Sequence, residues 1–287
     1  MSIDSIKTVG VLGAGTMGNG IAHVFAKAGF NVILRDIEQR FLDRALDTLT
    51  RNLDREIKKG RVADADKPRI LGRLQLVTDP GALARADFVV EAVYERLDLK
   101  LAVLKEVDKL LRPDVILASN TSSISITQLA GATARPDRFL GMHFMNPVPV
   151  MALVEVIRGL QTSDATFQTT MALCEKLEKK PVAVNDSPGF VSNRVLLPMI
   201  NEAVFCVQEG VATPEAVDSV MKLGMNHPMG PLELADLIGL DVCLAILEVL
   251  YSGLGDSKYR PCPLLRKMVA AGWLGRKSGR GFYTYTS

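Results

Sequence analysis

Between residue 6 and about residue 185, short runs of β-branched and aliphatic residues alternate with longer stretches whose apolar positions recur every three or four residues. That rhythm predicts βαβ units around a mostly parallel sheet. Strands are expected at 6–12, 31–35, 88–91, 115–119, 139–142, 153–157 and 182–184. After the second of these, Leu42, Leu46, Leu49, Leu53 and Ile57 fall at spacings of four, three, four and four. The spacing predicts one helix over 41–59 with a single apolar face, longer than a plain crossover requires. Asp186, Ser187, Pro188 and Gly189 then form a turn cluster, beyond which strand-like runs become rare and helical patterns such as 195–209 and 240–250 dominate. Two domains are therefore expected, 1–185 and 186–287. The second is small and apolar enough that part of its surface should be buried against another copy, which makes a homodimer the expected assembly.

Composition narrows the function classes. The 287 residues are 48% hydrophobic and 23% charged, enough to build two joined cores. With 34 basic and 32 acidic residues the net charge is +2, too balanced for nucleic acid or an anionic membrane to be the main partner. Cys174, Cys206, Cys243 and Cys262 show no paired metal-ligand spacing, so no metal is expected. The chain opens without a basic-then-apolar signal segment, and no apolar run approaches the roughly 20 residues of a membrane span. A cytoplasmic location is expected.

Val9-Gly10-Val11-Leu12 leads directly into Gly13-Ala14-Gly15-Thr16-Met17-Gly18, and a helical pattern follows over 17–28. Alone, G-x-G-x-x-G is a weak signal; between a strand and a helix it is the dinucleotide-binding fingerprint. Gly13 serves the tight turn, Gly15 the approach of a pyrophosphate, and Gly18 the packing of helix on strand. The N-terminus of the helix, with Thr16 and Met17, offers free N–H groups and a positive dipole end. Asp36 closes the next strand where a carboxylate bonds the ribose 2′-hydroxyl, which favours NAD over NADP, although Arg35 stands beside it. The fold class expected is thus α/β: a Rossmann-type, doubly wound N-terminal sheet with a long helical insertion after the second strand, followed by a smaller all-helical domain.

Hydride exchange at an alcohol carbon needs a group for the hydroxyl proton, and histidine suits it because it titrates near neutrality. Only three are present. His23 lies among Ile21, Ala22, Val24 and Phe25 and reads as packed or on a helix surface. His227 precedes Pro228 in a loop. His143 follows the apolar run 139–142, where a strand meets a loop, and in open α/β sheets the carboxyl ends of strands hold the ligands. Glu155 interrupts Leu153, Val154, Val156 and Ile157. A carboxylate there needs a partner or a cleft. Read alone, it is either the group that orients the His143 ring or a plain edge-strand glutamate.

Several motifs together carry a resemblance. Beside the glycine turn stand Ser119-Asn120-Thr121-Ser122-Ser123, His143-Phe144-Met145-Asn146-Pro147, Glu155 and Pro188-Gly189-Phe190-Val191-Ser192-Asn193-Arg194. Met221-Lys222-Leu223-Gly224, Pro228-Met229-Gly230-Pro231 and Gly275-Arg276-Lys277-Ser278-Gly279-Arg280-Gly281-Phe282-Tyr283 extend the match to the end of the chain. In order and in kind they resemble the L-3-hydroxyacyl-CoA dehydrogenase family, nearest to its bacterial 3-hydroxybutyryl-CoA branch. The resemblance implies reversible, NAD-dependent oxidation of an L-3-hydroxyacyl-CoA to the 3-ketoacyl-CoA, here 3-hydroxybutyryl-CoA to acetoacetyl-CoA, in fatty-acid and butanoate metabolism. By it His143 is the general acid/base and Glu155 its orienting carboxylate. Ser122 and Asn193 hold the substrate oxygen, and Glu95, Lys100, Asn120, Asn146 and Lys277 line the cofactor side.

Without the resemblance, Asn193 reads equally as a helix-start residue, Ser122 as a loop hydroxyl or N-cap, and Glu95, Lys100 and Lys277 as solvated charges. Arg51, Arg55 and Lys59 recur every four residues and form one charged stripe on the long helix, diluted by Asp54 and Glu56. Such a stripe is usually a solvated face; the resemblance makes it the contact for the phosphates of coenzyme A. At this length a stand-alone dehydrogenase, without the fused hydratase of the multifunctional relatives, is expected. The rival readings are a dehydrogenase of a free hydroxy acid and a structural, crystallin-like NAD-binding protein.

Overall fold

The computed structural model describes residues 3–285; residues 1, 2, 286 and 287, at the outer ends of the two expected domains, lie outside the described residues. The chain divides into two compact units, Met1–Asp186 and Ser187–Ser287.

In the N-terminal unit the chain runs β1 (Thr8–Leu12), α1 (Thr16–Lys27), β2 (Asn31–Arg35), α2 (Gln39–Lys58), α3 (Lys67–Leu71), β3 (Leu74–Val77), β4 (Phe88–Glu91) and α4 (Leu97–Asp108). It continues through β5 (Ile116–Ser119), α5 (Ile126–Ala130), β6 (Phe139–Phe144), β7 (Leu153–Arg158), α6 (Asp164–Lys176) and β8 (Lys180–Asn185). One eight-stranded sheet has the order β3-β2-β1-β4-β5-β6-β7-β8. Only the β6–β7 pairing is antiparallel. The strand order reverses beside β1, and there α/β sheets open a crevice at the carboxyl ends of the strands.

The central strands β4, β5 and β6 are buried at every position, as a sheet covered on both faces demands. This is why they were legible as unbroken apolar runs. The strand β3 was not expected: it is a four-residue edge strand, partly exposed throughout, so it shows neither an apolar run nor clean alternation. The long helix is accordingly part of the crossover from β2 to β3. It buries Leu42, Leu49 and Leu53 of the expected face together with Ala45, while Leu46 and Ile57 at the flank of that face are only half-buried. The other edge, β8, is also mostly exposed and is longer than the three residues expected.

The C-terminal unit contains α7 (Ser192–Gln208), α8 (Pro214–Gly224), α9 (Pro231–Ile238), α10 (Leu240–Leu254) and α11 (Pro263–Ala270). Leu197, Ile200, Val204, Leu232, Leu240, Leu247 and Leu250 are fully buried in its own core. Two buried aspartates bind its short connections. Asp218 accepts from the Leu232 and Glu233 N–H groups at the start of α9 (2.8 and 2.9 Å) and from the Tyr283 hydroxyl (2.7 Å). Asp236 accepts from the Phe282 and Tyr283 N–H groups and the Tyr285 hydroxyl, each at 3.0 Å. The approach is so close that a Cβ on Gly281 would sit 1.9 Å from the Asp236 carboxylate. No single helix among the described residues is long and apolar enough to cross a membrane.

Candidate active site

The glycine turn follows β1. Gly13 has φ +95°, a region that favours glycine, and a Cβ there would meet the Ala92 carbonyl at 2.6 Å. Around Gly15 nothing lies within 4 Å of where a Cβ would be, so the backbone is open to a ligand; a Cβ on Gly18 would lie 1.7 Å from the Gly13 carbonyl. Thr16 and Met17 begin α1, with Gly15 at its N-cap and no side-chain cap on the free N–H groups. Asp36 reaches back to this turn: one carboxylate oxygen accepts from the Ala14 N–H (2.6 Å), the other from the Ile37 N–H (2.7 Å). Each oxygen keeps a further lone pair for a ribose hydroxyl. A dinucleotide fits this set of residues: open N–H groups for its pyrophosphate and a carboxylate for its ribose.

At the carboxyl end of the sheet, β6 carries His143 one residue inside its end rather than at the strand–loop junction. The antiparallel register sets His143 directly opposite Glu155 on β7. Directly opposed residues in such a pair have neighbouring side chains. His143 Nδ1 lies 2.8 Å from Glu155 Oε2, and both side chains are buried. A carboxylate only accepts, so Nδ1 is the donor of this bond. Because β8 lies beyond β7, Glu155 is no edge-strand residue.

Ser122 lies between β5 and α5, half-buried, in a loop gathered by Glu95. Glu95 Oε1 accepts from the Thr121 hydroxyl (2.5 Å) and from the Ser122 and Ser123 N–H groups (2.8 and 3.1 Å). Asn120 is buried and uses its side-chain oxygen to accept the Phe144 N–H at 2.9 Å, tying the end of β5 to the end of β6. Lys100, expected to line the cofactor side, is 0% exposed and faces Glu91 and Glu95. Asn146 is exposed just past β6, in a cis peptide with Pro147. The loop after it is pinned by the buried Lys179, which donates to the Val148 and Met151 carbonyls (2.5 and 2.7 Å). Neither Glu91 nor Lys179 was singled out from the sequence. For Glu91 the signal was present: it closes the apolar run Phe88-Val89-Val90 just as Glu155 interrupts its own.

Arg51, Arg55 and Lys59 are exposed, and none is in an ion pair among the described residues. The two acids that seemed to dilute the stripe are engaged elsewhere. Asp54 pairs with Lys67 at 2.5 Å. Glu56 is turned inward, 3.3 Å from Nε2 of the fully buried His23 and 2.9 Å from Lys27. Burial pushes the Glu56 carboxyl up, but the hydrogen bonds and charges of His23 and Lys27 prevail and hold it at about 2.

The remaining site residues named from the sequence, Asn193 and Lys277, belong to the C-terminal unit. Asn193 is the second residue of α7, its N–H bonded to the Gly189 carbonyl (3.1 Å). Lys277 is exposed and pairs with Asp241 at the start of α10 (2.5 Å).

Comparison with known proteins bears on the whole chain. Residues 8–187 match the family model described as 3-hydroxyacyl-CoA dehydrogenase, NAD binding domain, and residues 189–285 match its C-terminal domain. The 3-hydroxybutyryl-CoA dehydrogenase of Bradyrhizobium diazoefficiens is 54% identical over 98% of this chain and 96% of its own. That of Clostridioides difficile is 51% identical, over 96% and 98%. The crystal structure of (S)-3-hydroxybutyryl-CoA dehydrogenase from Ralstonia eutropha superposes with a TM-score of 0.97 at 56% identity, covering 99% of this chain and 100% of that one.

Proposed function

Because the chain belongs to the 3-hydroxyacyl-CoA dehydrogenase family, we propose that it interconverts 3-hydroxybutyryl-CoA and acetoacetyl-CoA with NAD, using His143 as general acid/base. The observation that carries this reading is the buried His143–Glu155 pair, 2.8 Å apart at the carboxyl end of β6. In the oxidative direction Nε2 takes the proton of the C3 hydroxyl; in reduction it returns the proton. Glu155 holds the tautomer that makes Nε2 available and stabilises the imidazolium. Ser122 holds the C3 oxygen, and Asn193 is given the same task by its motif. NAD, when bound, supplies the hydride acceptor. Gly15, Thr16 and Met17 receive its pyrophosphate and Asp36 its ribose hydroxyls; Glu95, Asn120, Asn146 and Lys277 complete the cofactor side by resemblance.

Arg51, Arg55 and Lys59 are proposed to contact the phosphates of coenzyme A through charge-assisted hydrogen bonds. The four-carbon preference is supported by the names of relatives more than 50% identical. Exposed apolar residues of the C-terminal unit, Val195, Val220 and Leu223 among them, support the homodimer. Sedimentation as a monomer at working concentration would remove it.

The test is NADH oxidation with acetoacetyl-CoA, set beside free acetoacetate and beside NADPH. Turnover of the thioester is expected, with efficiency lower by about tenfold or more for NADPH, whose 2′-phosphate meets the Asp36 carboxylate. Equal turnover of free acetoacetate favours a free hydroxy-acid dehydrogenase. Turnover of neither favours a structural NAD-binding protein.

A further inference from the structure

Beneath the Ser122 loop lies a line of charges that ends in the sheet. Glu95 collects the loop through one carboxylate oxygen, and its other oxygen is 3.4 Å from Lys100 Nζ. Lys100 donates to Glu91 Oε1 at 2.6 Å and to the Val93 carbonyl at 3.2 Å. Glu91 also accepts from the Val93 N–H (2.7 Å), while its second oxygen accepts from the Ser119 hydroxyl (2.5 Å). The Ser119 oxygen in turn accepts from the Thr121 N–H at 3.3 Å. Glu91, Lys100 and Ser119 are each 0% exposed. Two routes therefore lead from Glu91 to the loop: through Lys100 and Glu95 to Ser122, and through Ser119 to Thr121.

We propose that Glu91 is a positioning residue for the reaction, setting the placement of Ser122 through both routes. The register supports this, because Glu91 is paired with Leu12 on one side and Ser119 on the other, in the middle of the sheet. A carboxylate placed there is anchored by rigid strands, whereas the loop has no ladder of its own. Lys100 has no exposed surface, so its charge is balanced by Glu91 and Glu95 while the Val93 carbonyl takes one further hydrogen bond; desolvating an unpaired ammonium is prohibitive. Neutralising Glu91 leaves that cation drawn toward Glu95 alone and pulls Glu95 away from the N–H groups it gathers. Displacement of a substrate-holding group by a fraction of an ångström lowers the rate while the fold persists.

The proposal rests on the reading of Ser122 as the residue that holds the substrate oxygen, and the test separates the two. Glu91→Gln, Ser122→Ala and the double variant are made in the full-length enzyme, and kcat and KM for acetoacetyl-CoA are measured with NADH binding followed by fluorescence. Ser122→Ala should lower kcat about a hundredfold with NADH affinity kept, and Glu91→Gln should lower kcat about tenfold or more at saturating NADH. If Glu91 acts through Ser122, the double variant falls within about threefold of Ser122→Ala, since the second loss has nothing left to misplace. Losses that multiply, or a wild-type kcat in Glu91→Gln, overturn the proposal while leaving Ser122 in its role. A wild-type kcat in Ser122→Ala overturns the reading of Ser122 and the proposal with it. Should Glu91→Gln not fold, Ser119→Ala cuts one route with both charges intact: a loss of about threefold that vanishes in the Ser122→Ala background supports the proposal, and one that persists there refutes it.

Discussion

Glu155 and Glu91 in the NAD-binding unit face a histidine and a lysine, whereas Asp218 and Asp236 in the C-terminal unit face backbone N–H groups and phenolic hydroxyls. All four carboxylates are buried to 2% exposure or less. Their partners separate them. An N–H group fixed in the backbone gives a carboxylate nothing to exchange, so the aspartates act as clamps on the chain. A histidine ring has two nitrogens that can carry a proton, so a carboxylate beside one of them selects which nitrogen donates. Burial alone therefore does not distinguish the four acids; what each is bonded to does.

Four outcomes probe that contrast, beginning with the largest. Replacing His143 by alanine is expected to lower turnover by roughly three to four orders of magnitude with NADH affinity kept, because in the proposed reaction the missing group acts on the substrate proton. Retention of a tenth of the activity breaks the contrast at once.

Glu155→Gln comes next, with a loss of roughly two orders in kcat, as the amide can hold the ring but cannot stabilise its positive charge. Its counterpart, Asp218→Asn, should cost about 2 kcal/mol of stability in the C-terminal unit and leave the kcat of the folded enzyme unchanged. Denaturant melts and initial rates on the same preparations decide the matter; a kcat loss in Asp218→Asn would merge the two classes.

A smaller effect is expected on α2. Arg55→Glu or Lys59→Glu should raise KM for acetoacetyl-CoA about tenfold, spare KM for NADH, and hardly touch a truncated thioester lacking the nucleotide. Equal losses with both thioesters would show that the helix was disturbed instead.

The smallest effect is the pH dependence, which runs in opposite directions in the two units. Burial and the Asp236 carboxylate push the Tyr285 hydroxyl up to about 12, so its contribution is complete below pH 10 and is lost as pH rises through 12. Glu56, lowered from 4.5 to about 2, contributes fully above pH 4.5 and loses that contribution as pH falls through 2. Trp273, the one tryptophan, lies in the C-terminal unit and reports its unfolding. The stability gap between wild type and Tyr285→Phe should close between pH 10 and 12. For Glu56→Gln the gap should close on the acid side, read by far-UV dichroism. Gaps that do not vary with pH would remove both titrating groups from the account.

Much of this protein was legible in the chain alone. Strand cores announced themselves because a sheet covered on both faces needs unbroken apolar runs, and α2 did so because one buried stripe forces a regular spacing. The glycine turn was equally plain, since its roles are backbone geometry that no other residue supplies. His143 and Glu155 were each visible as polar residues at the end of, or within, apolar runs, but a spacing of twelve is compatible with many arrangements. Only the antiparallel register of β6 on β7 placed them opposite each other. The edge strand β3 stayed hidden because half-exposed residues carry no periodic demand. Lys100 could be read as a solvated charge because the preference of lysine for water is a property of the residue, while its burial between Glu91 and Glu95 is a property of the assembled strand ends and loop. Local patterns record which residues must avoid water; which charged group meets which is decided only when distant segments close together, because Coulomb and hydrogen-bond energies depend on distances that the chain order does not contain.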